Sequence, residues 1–257
     1  MTIFDLLAAS EVLVTEEWRK LQPPGDSNAY SLLKEAGFFI WRTGQIYRFE
    51  DYLSTHSATR AVNPSTSWSG EHGEEARAAW QTLSRIGDTL RSAKKRQNIQ
   101  VAKAQLDFIA STGQCGEFDE YLKTFYRNPP PVVARFETRD EAEIWLRSLS
   151  EPPSNAYVLV GNEYLNVFYS RERGVRVLRR DYALERFIEA VTSHGLPDVA
   201  ASFDTLAEAS AWWQGHAVPP LSAFVRIAGE LHLALYHKKI DGRSLHPISI
   251  LDGWRSR

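Results

Sequence analysis

The sequence predicts an α+β protein with a helical N-terminal part and a C-terminal part built on antiparallel sheet, with helices on one face of that sheet. Two observations carry this prediction. Apolar residues recur at helical spacing up to about residue 128 and alternate at strand spacing from about residue 132. Each part also contains an internal duplication, which indicates a repeated structural unit.

The longer duplication lies in the C-terminal part, where Val132–Leu178 aligns without a gap on Val199–Leu245 after a shift of 67 positions. Fifteen of the 47 aligned pairs are identical, whereas about three would be expected for unrelated sequences of average composition. The identical pairs include Phe136 and Phe203, Thr138 and Thr205, Glu141 and Glu208, Ala142 and Ala209, and Trp145 and Trp212. Most of these residues are apolar, capping or turn residues, so the duplication indicates architecture rather than chemistry.

Residues 1–128 are predicted to form an all-helical domain. Its first helix begins near Ile3 and ends at Pro23-Pro24-Gly25, because proline and glycine terminate helices. Asp26, Ser27 or Asn28 is expected to cap a second helix. That helix is predicted to run from about Ala29 to Thr43.

The shorter duplication falls in this domain, where residues 39–53 recur at 108–122 with eight of the 15 positions identical. Gly44 and Gly113 stand where a left-handed residue would terminate a helix. Apolar residues then return at helical spacing after each glycine. Each copy therefore predicts a hairpin of two helices joined by a structural turn.

Between the two copies, Ala58–Gly73 is rich in small and polar residues and is predicted to be a surface loop. Glu74 to about Lys95 is predicted to form one long amphipathic helix. Arg91, Lys94 and Lys95 would then lie at its C-terminus, where cations are favourable. A solvated helix end is one interpretation of this basic cluster, and contact with phosphate or an acidic partner is the other.

Asn128–Pro131 is predicted to be the domain boundary, because three successive prolines cannot continue a helix. The second domain, 132–257, would contain two βαββ(β) repeats at 132–180 and 199–248, related by a pseudo-twofold axis and joined by a helix at 181–194. Each repeat is expected to begin its helix with a capping box. The predicted capping pairs are Thr138 with Glu141 and Thr205 with Glu208.

Composition limits the partners and the cellular location that can be expected. The net charge is −2 and the pI about 6.4, so nucleic acid and anionic membranes are not expected partners. Cys115 is the only cysteine, which excludes an intrachain disulfide and fits a reducing compartment. We see no signal peptide and no apolar run long enough to span a membrane. A cytoplasmic location is therefore expected.

No catalytic, cofactor-binding or metal-binding residue is predicted. None of the seven histidines pairs with another histidine or with Cys115 at a zinc-ligand spacing, and no nucleotide-binding or nucleophile motif occurs. Cys115 is expected to be buried. Arg176 and Arg243 are polar identities that the repeat pattern does not explain, so they would either pair with carboxylates of a neighbouring strand or line a partner surface.

Trp213 replaces Leu146 of the first repeat and is expected to be partly exposed. The candidate partner-binding residues are Arg176, Arg243, Trp213, Arg91, Lys94 and Lys95.

The motif Phe-Ile-x-x-Thr-Gly-Gln at Phe39 and Phe108, followed by Phe-x-Thr-x-x-Glu-Ala-x-x-Trp at Phe136 and Phe203, resembles a paralogous family of myxobacterial proteins often labelled phage "head protein". The resemblance covers most of residues 29–250 and implies no catalytic residues. Large sets of small paralogous proteins in social bacteria are also similar to the immunity proteins of toxin–immunity systems.

Three functions follow as hypotheses. The first is a non-catalytic protein-binding module, such as an immunity protein that neutralises a toxin of a toxin–antitoxin pair. The second is a phage-derived structural or assembly protein, which would self-associate. The third is an enzyme with an unrecognised site between the two halves of the chain.

Overall fold

The computed structural model describes residues 2–21, 27–56, 68–124, 129, 131–193 and 195–255. These residues divide into two compact units, Met1–Thr124 and Phe125–Arg257. The first unit is helical and the second contains all the described strands, so the α+β class predicted from the sequence is confirmed. The predicted Pro23–Gly25 stop, most of the loop at 58–73 and half of the boundary at 128–131 lie outside the described residues.

The helical unit is organised around one central helix. Its six helices are α1 Ile3–Leu21, α2 Ser27–Arg42, α3 Ile46–Thr55, α4 Gly73–Thr89, α5 Ala93–Ser111 and α6 Cys115–Thr124. Helix α5 contacts each of the other five, and its residues from Asn98 to Ala110 are almost all buried. No described helix has both the length and the apolar character required to cross a membrane.

The two predicted hairpins are α2–α3 and α5–α6, and their turns are built identically. Gly44 and Gly113 have φ values of 74° and 73°, in the left-handed region that favours glycine. In each turn the threonine hydroxyl donates to the carbonyl four residues earlier at 2.6 Å, and the glutamine side chain donates to that hydroxyl. The Gln45 Nε2 also donates to Gln114 Oε1 at 2.7 Å, so the two turns meet directly.

Aromatic side chains of the two hairpins pack against each other in a reciprocal way. Phe39 packs edge-to-face on Phe118 at 5.3 Å, and the equivalent residues Phe108 and Phe49 do the same at 5.5 Å. All four rings are buried. The duplication therefore forms a pseudo-twofold pair of hairpins that share one core, with the Gln45–Gln114 hydrogen bond between the turns.

The predicted long helix from Glu74 to Lys95 is wrong, because the chain forms two helices there. Helix α4 ends at Thr89, Leu90 is extended, and Ser92 caps α5 by accepting a hydrogen bond from the Lys95 amide. A serine at an N-cap satisfies a backbone amide that would otherwise lack a partner. The basic residues therefore begin a helix rather than end one.

The sheet unit contains two four-stranded sheets with strand orders β1-β2-β3-β4 and β5-β6-β7-β8. The first repeat contains β1 Val132–Phe136, α7 Arg139–Ser148, β2 Tyr157–Val160, β3 Glu163–Ser170 and β4 Val175–Arg180. The joining helix is α8 Ala183–Thr192. The second repeat contains β5 Val199–Phe203, α9 Leu206–Gln214, β6 Ser222–Ile227, β7 Glu230–His237 and β8 Gly242–Pro247, and α10 Ile250–Arg255 follows it.

Strand pairing repeats with the same shift of 67 residues as the sequence. Tyr169 pairs with Arg176 in the first sheet, and Tyr236 pairs with Arg243 at the equivalent place in the second. The first strand of each sheet carries the same bulge, between Val132 and Ala134 and between Val199 and Ala201. In both sheets this strand is parallel to its neighbour and the remaining pairs are antiparallel. The prediction of antiparallel sheet is therefore wrong for the first pair, because a helix lies between the first two strands of each repeat.

Both faces of each sheet are covered, which goes beyond the prediction of helices on one face. One face packs on the helix of its own repeat, through Ala142 and Leu146 in the first and Ala209 and Trp213 in the second. The other faces contribute to one central cluster that α8 and α10 complete. Its buried residues are Val132, Leu159, Tyr164, Leu184, Ile188, Leu233, Leu235 and Leu251.

Candidate functional site

The polar residues shared by the two repeats hold the fold. The Arg176 guanidinium donates to the carbonyl oxygens at the C-terminal end of α7, the shortest being 2.6 Å to Leu149. Arg243 donates at 2.9 Å to the carbonyl of His216, which is the equivalent position after α9. Both arginines therefore pair with carbonyls rather than with carboxylates of a neighbouring strand, and contact with a partner protein stays a prediction.

The remaining shared residues have equally clear structural contacts. Tyr169 and Tyr236 lie under the Arg176 and Arg243 guanidinium groups at 5.6 and 5.3 Å. The two capping boxes form as predicted at the starts of α7 and α9. These shared residues therefore stabilise the two repeats.

The other candidates from the sequence are dispersed. Trp213 is buried with 1% of its surface exposed, and its Nε1 donates to the Leu235 carbonyl at 3.1 Å. The expectation that it is partly exposed is wrong, because this position faces the sheet in both repeats, as buried Leu146 shows. Arg91, Lys94 and Lys95 are exposed around the start of α5, in the other unit.

An apolar cleft of about 480 Å³ lies in the helical unit between α1, α2 and α5. Its aromatic lining consists of Phe4, Tyr30, Phe38 and Trp41. Phe4 packs edge-to-face on Trp41 at 5.6 Å, while 39% of the Trp41 surface stays exposed. Large exposed aromatic rings beside a concavity are typical of binding surfaces.

Charged side chains lie at the rim of this cleft, and uncharged side chains form its floor. Asp5 and Glu11 are exposed on α1, and Lys34 is exposed on α2. A hydrogen bond from the Thr2 amide lowers the pKa of the Asp5 carboxyl, so this rim residue stays ionised. Gln105 of α5 lies against Gly37 at the floor, where an added Cβ would meet its Oε1 at 3.4 Å.

Two aromatic residues of the cleft mark a difference between the two hairpins. Trp41 and Phe38 of α2 correspond to Ala110 and Asp107 of α5. The α5 copies of these positions are buried at the centre of the unit, whereas α2 presents its aromatic residues on the cleft. No single residue in the sequence indicates which copy lines a cleft and which is buried. Only the alignment of the two copies reveals the substitutions.

A chain of hydrogen bonds lies buried in the sheet unit and was not predicted. Ser244 Oγ is 2.7 Å from the Nε2 atoms of both His237 and His246, and the Tyr164 hydroxyl is 3.4 Å from His237 Nδ1. All four residues have less than a tenth of their surface exposed. The histidines meet because β7 pairs with β8, which sequence spacing alone does not reveal.

One assignment of donors and acceptors satisfies every group of this chain. The backbone carbonyl of Asn162 accepts from His246, which leaves His246 Nε2 to accept from the Ser244 hydroxyl. His237 Nε2–H then donates to Ser244 Oγ, and its Nδ1 accepts from Tyr164. Burial first, and the Arg135 charge second, lower the pKa of His237 to about 4. Such an imidazole is a weak base at neutral pH, so the geometry does not favour a nucleophilic serine.

The part of the chain that the structure describes contains no group of three or more histidine, cysteine or acidic residues placed to hold a metal ion. Cys115 is buried, as expected. No family model, curated protein or solved structure matches the chain.

Proposed function

We propose that this chain is a non-catalytic protein-binding module whose helical unit receives an apolar segment of a partner protein. The observation that carries the proposal is the cleft of about 480 Å³ lined by Phe4, Tyr30, Phe38 and Trp41. Its volume lies within the range of about 300 to 1,000 Å³ that is usual for binding pockets. The shared arginines Arg176 and Arg243 donate to backbone carbonyls at helix ends. This structural role supports the non-catalytic part of the proposal.

The partner segment is an amphipathic helix. A groove between helices accepts the apolar face of another helix, whose residues at every third or fourth position enter it. Asp5 and Glu11 on one rim favour basic residues along one edge of that helix, and Lys34 on the opposite rim favours an acidic residue along the other. The exposed ring of Trp41 is the expected anchor, because tryptophan is enriched among residues that dominate binding energy.

For the biological role we propose neutralisation of a cognate toxin by steric and electrostatic blockade. This finer proposal is supported by the sequence resemblance and by the buried duplicated cores, which can tolerate changes at surface positions. A phage assembly protein remains the alternative function, and light scattering separates the two. A monomer at micromolar concentration fits the immunity role, whereas ordered self-association supports the assembly role.

Photo-cross-linking tests the cleft directly. A photoreactive phenylalanine analogue replaces Trp41 in one variant and Ile144, an exposed apolar residue of the sheet unit, in a matched control. Both variants are irradiated in the native host, and cross-linked peptides are identified by mass spectrometry. We expect position 41 to capture an amphipathic segment of one protein that position 144 does not capture.

Binding of the purified partner is then measured with the unmodified protein and with Trp41→Ala. We expect the dissociation constant to rise by about thirtyfold or more, as for a residue that dominates an interface. Circular dichroism confirms that the variant stays folded. Equal affinities, or the same cross-linked proteins from positions 41 and 144, would refute the proposed cleft.

A further inference from the structure

A smaller cavity of about 200 Å³ lies inside the sheet unit, between β1 of the first repeat and α9 and β8 of the second. Its polar lining consists of Arg135, Asn162, Ser210, Gln214, Arg243 and Ser244. None of the described residues that line it is acidic. Arg135 and Arg243 therefore bring positive charge to a polar cavity whose described lining contains no carboxylate.

The hydrogen-bonding capacity of these arginines is only partly used. Arg135 Nη1 donates to the Arg243 carbonyl at 3.2 Å, and the Arg135 contact with Glu137 is long, at 3.8 Å. Arg243 Nε is buried and has no hydrogen-bond partner among the described residues. A buried donor without an acceptor is unfavourable, and an oxygen-rich anion in the cavity is the kind of acceptor that this site lacks.

On α7 of the first repeat, Glu143 forms ion pairs with Arg139 at 3.0 Å and with Arg147 at 3.6 Å. The equivalent residues on α9 are Leu206, Ser210 and Gln214, so the second repeat lacks this carboxylate and both of its arginines. Ser210 stands where the first repeat has Glu143. The charged residues of the described lining are therefore Arg135, which approaches from β1, and Arg243.

We propose that this cavity binds a small free oxyanion, either a phosphate or a short carboxylate. Arginine recognises both groups with paired N–H donors. The side chains of Asn162, Ser210 and Gln214 can supply further neutral donors. The volume of about 200 Å³ suits a ligand of a few heavy atoms and is too small for a nucleotide.

Isothermal titration with inorganic phosphate, and separately with succinate, tests the site. Two variants of the full chain remove its positive character: Arg135→Gln deletes the unshared cation, and Ser210→Glu restores the carboxylate of the first repeat. The control is Arg139→Gln, which alters the first repeat outside the cavity. We expect one or both anions to bind the unmodified protein and the control equally, and to bind both cavity variants about tenfold more weakly or worse.

NMR titration of His237 gives a second readout, because the charge of Arg135 contributes to its low pKa. An anion beside Arg135 offsets that charge, so we expect the pKa of His237 to rise when the bound anion is present. Absence of binding by both anions at millimolar concentration overturns the proposal. Binding that survives unchanged in both cavity variants also overturns it, because the anion would then occupy another site.

Discussion

At the scale of single residues, the buried chain from Tyr164 to His246 favours neutral imidazoles. Protonation of His237 or His246 would place a positive charge in a buried site and would require the facing hydroxyl to turn and act as an acceptor. Burial lowers the pKa of His237 to about 4 and that of His246 to about 3. The two residues therefore link the stability of the sheet unit to pH.

We expect the sheet unit to lose stability as pH falls below about 6.5. Because the pKa of each imidazole is lower in the folded protein than in the unfolded chain, the unfolded chain takes up protons first. Stability is complete above the unfolded value of about 6.5 and is lost as pH falls towards 4 for His237 and 3 for His246. Near pH 4.5 the loss amounts to about 2 to 3 kcal/mol for each histidine.

Urea unfolding between pH 4.5 and 7.5 measures this dependence. His246→Gln keeps a hydrogen-bonding group near the Nε2 position without a titrating group, so its stability should vary less with pH. His56→Gln changes an exposed histidine of the helical unit and serves as the control. A pH dependence that is the same in both variants would contradict a role for the buried chain.

At the scale of single elements, the turn of each helical hairpin depends on the backbone of one glycine. Gly113 has a φ of 73° and open space around its Cβ position, whereas Gly116 lies three residues later in helical conformation, also in open space. We expect Gly113→Ala to destabilise by about 1 to 2 kcal/mol and Gly116→Ala to stabilise by up to about 1 kcal/mol. Thermal unfolding of both variants checks the opposite signs.

The hydrogen bond between Gln45 and Gln114 predicts an energetic coupling between the two hairpins. We expect a double-mutant cycle with Gln45→Ala and Gln114→Ala to give an interaction energy of about 0.5 to 1.5 kcal/mol, because each single substitution already removes their shared hydrogen bond. A second double-mutant cycle, with Gln45 and Thr55, is the control, because these two residues share no hydrogen bond and their effects should add. Strict additivity for Gln45 and Gln114 would argue against direct contact of the turns.

The sequence predicted the elements better than the contacts between them. The duplication predicted two equivalent repeats, and equivalent residues do pair in both sheets, as Tyr169 with Arg176 and Tyr236 with Arg243 show. The break at Ser92 was missed because its basic neighbours are good helix formers. The site residues His237 and His246 were missed because only the pairing of β7 with β8 brings them together.

At the scale of the whole molecule, each of the two units has buried cores of its own. We therefore expect residues 1–124 and 129–257, produced separately, to fold without each other. Cooperative unfolding of each fragment, with the circular dichroism of a helical and of a mixed protein respectively, is the expected result. A fragment that shows no cooperative transition would mean that its core is insufficient by itself.

The shared Arg176 binds the end of a helix, whereas the unshared Arg135 lines the smaller cavity. Equilibrium urea unfolding of Arg176→Gln beside Arg135→Gln compares one shared arginine with one unshared arginine. We expect Arg176→Gln to lower the free energy of unfolding by about 1 to 2 kcal/mol, because the end of α7 loses its charged donor, and Arg135→Gln to lower it by less than about 0.5 kcal/mol. Equal losses of unfolding free energy in the two variants, or a larger loss in Arg135→Gln, would contradict the structural role of the shared arginine.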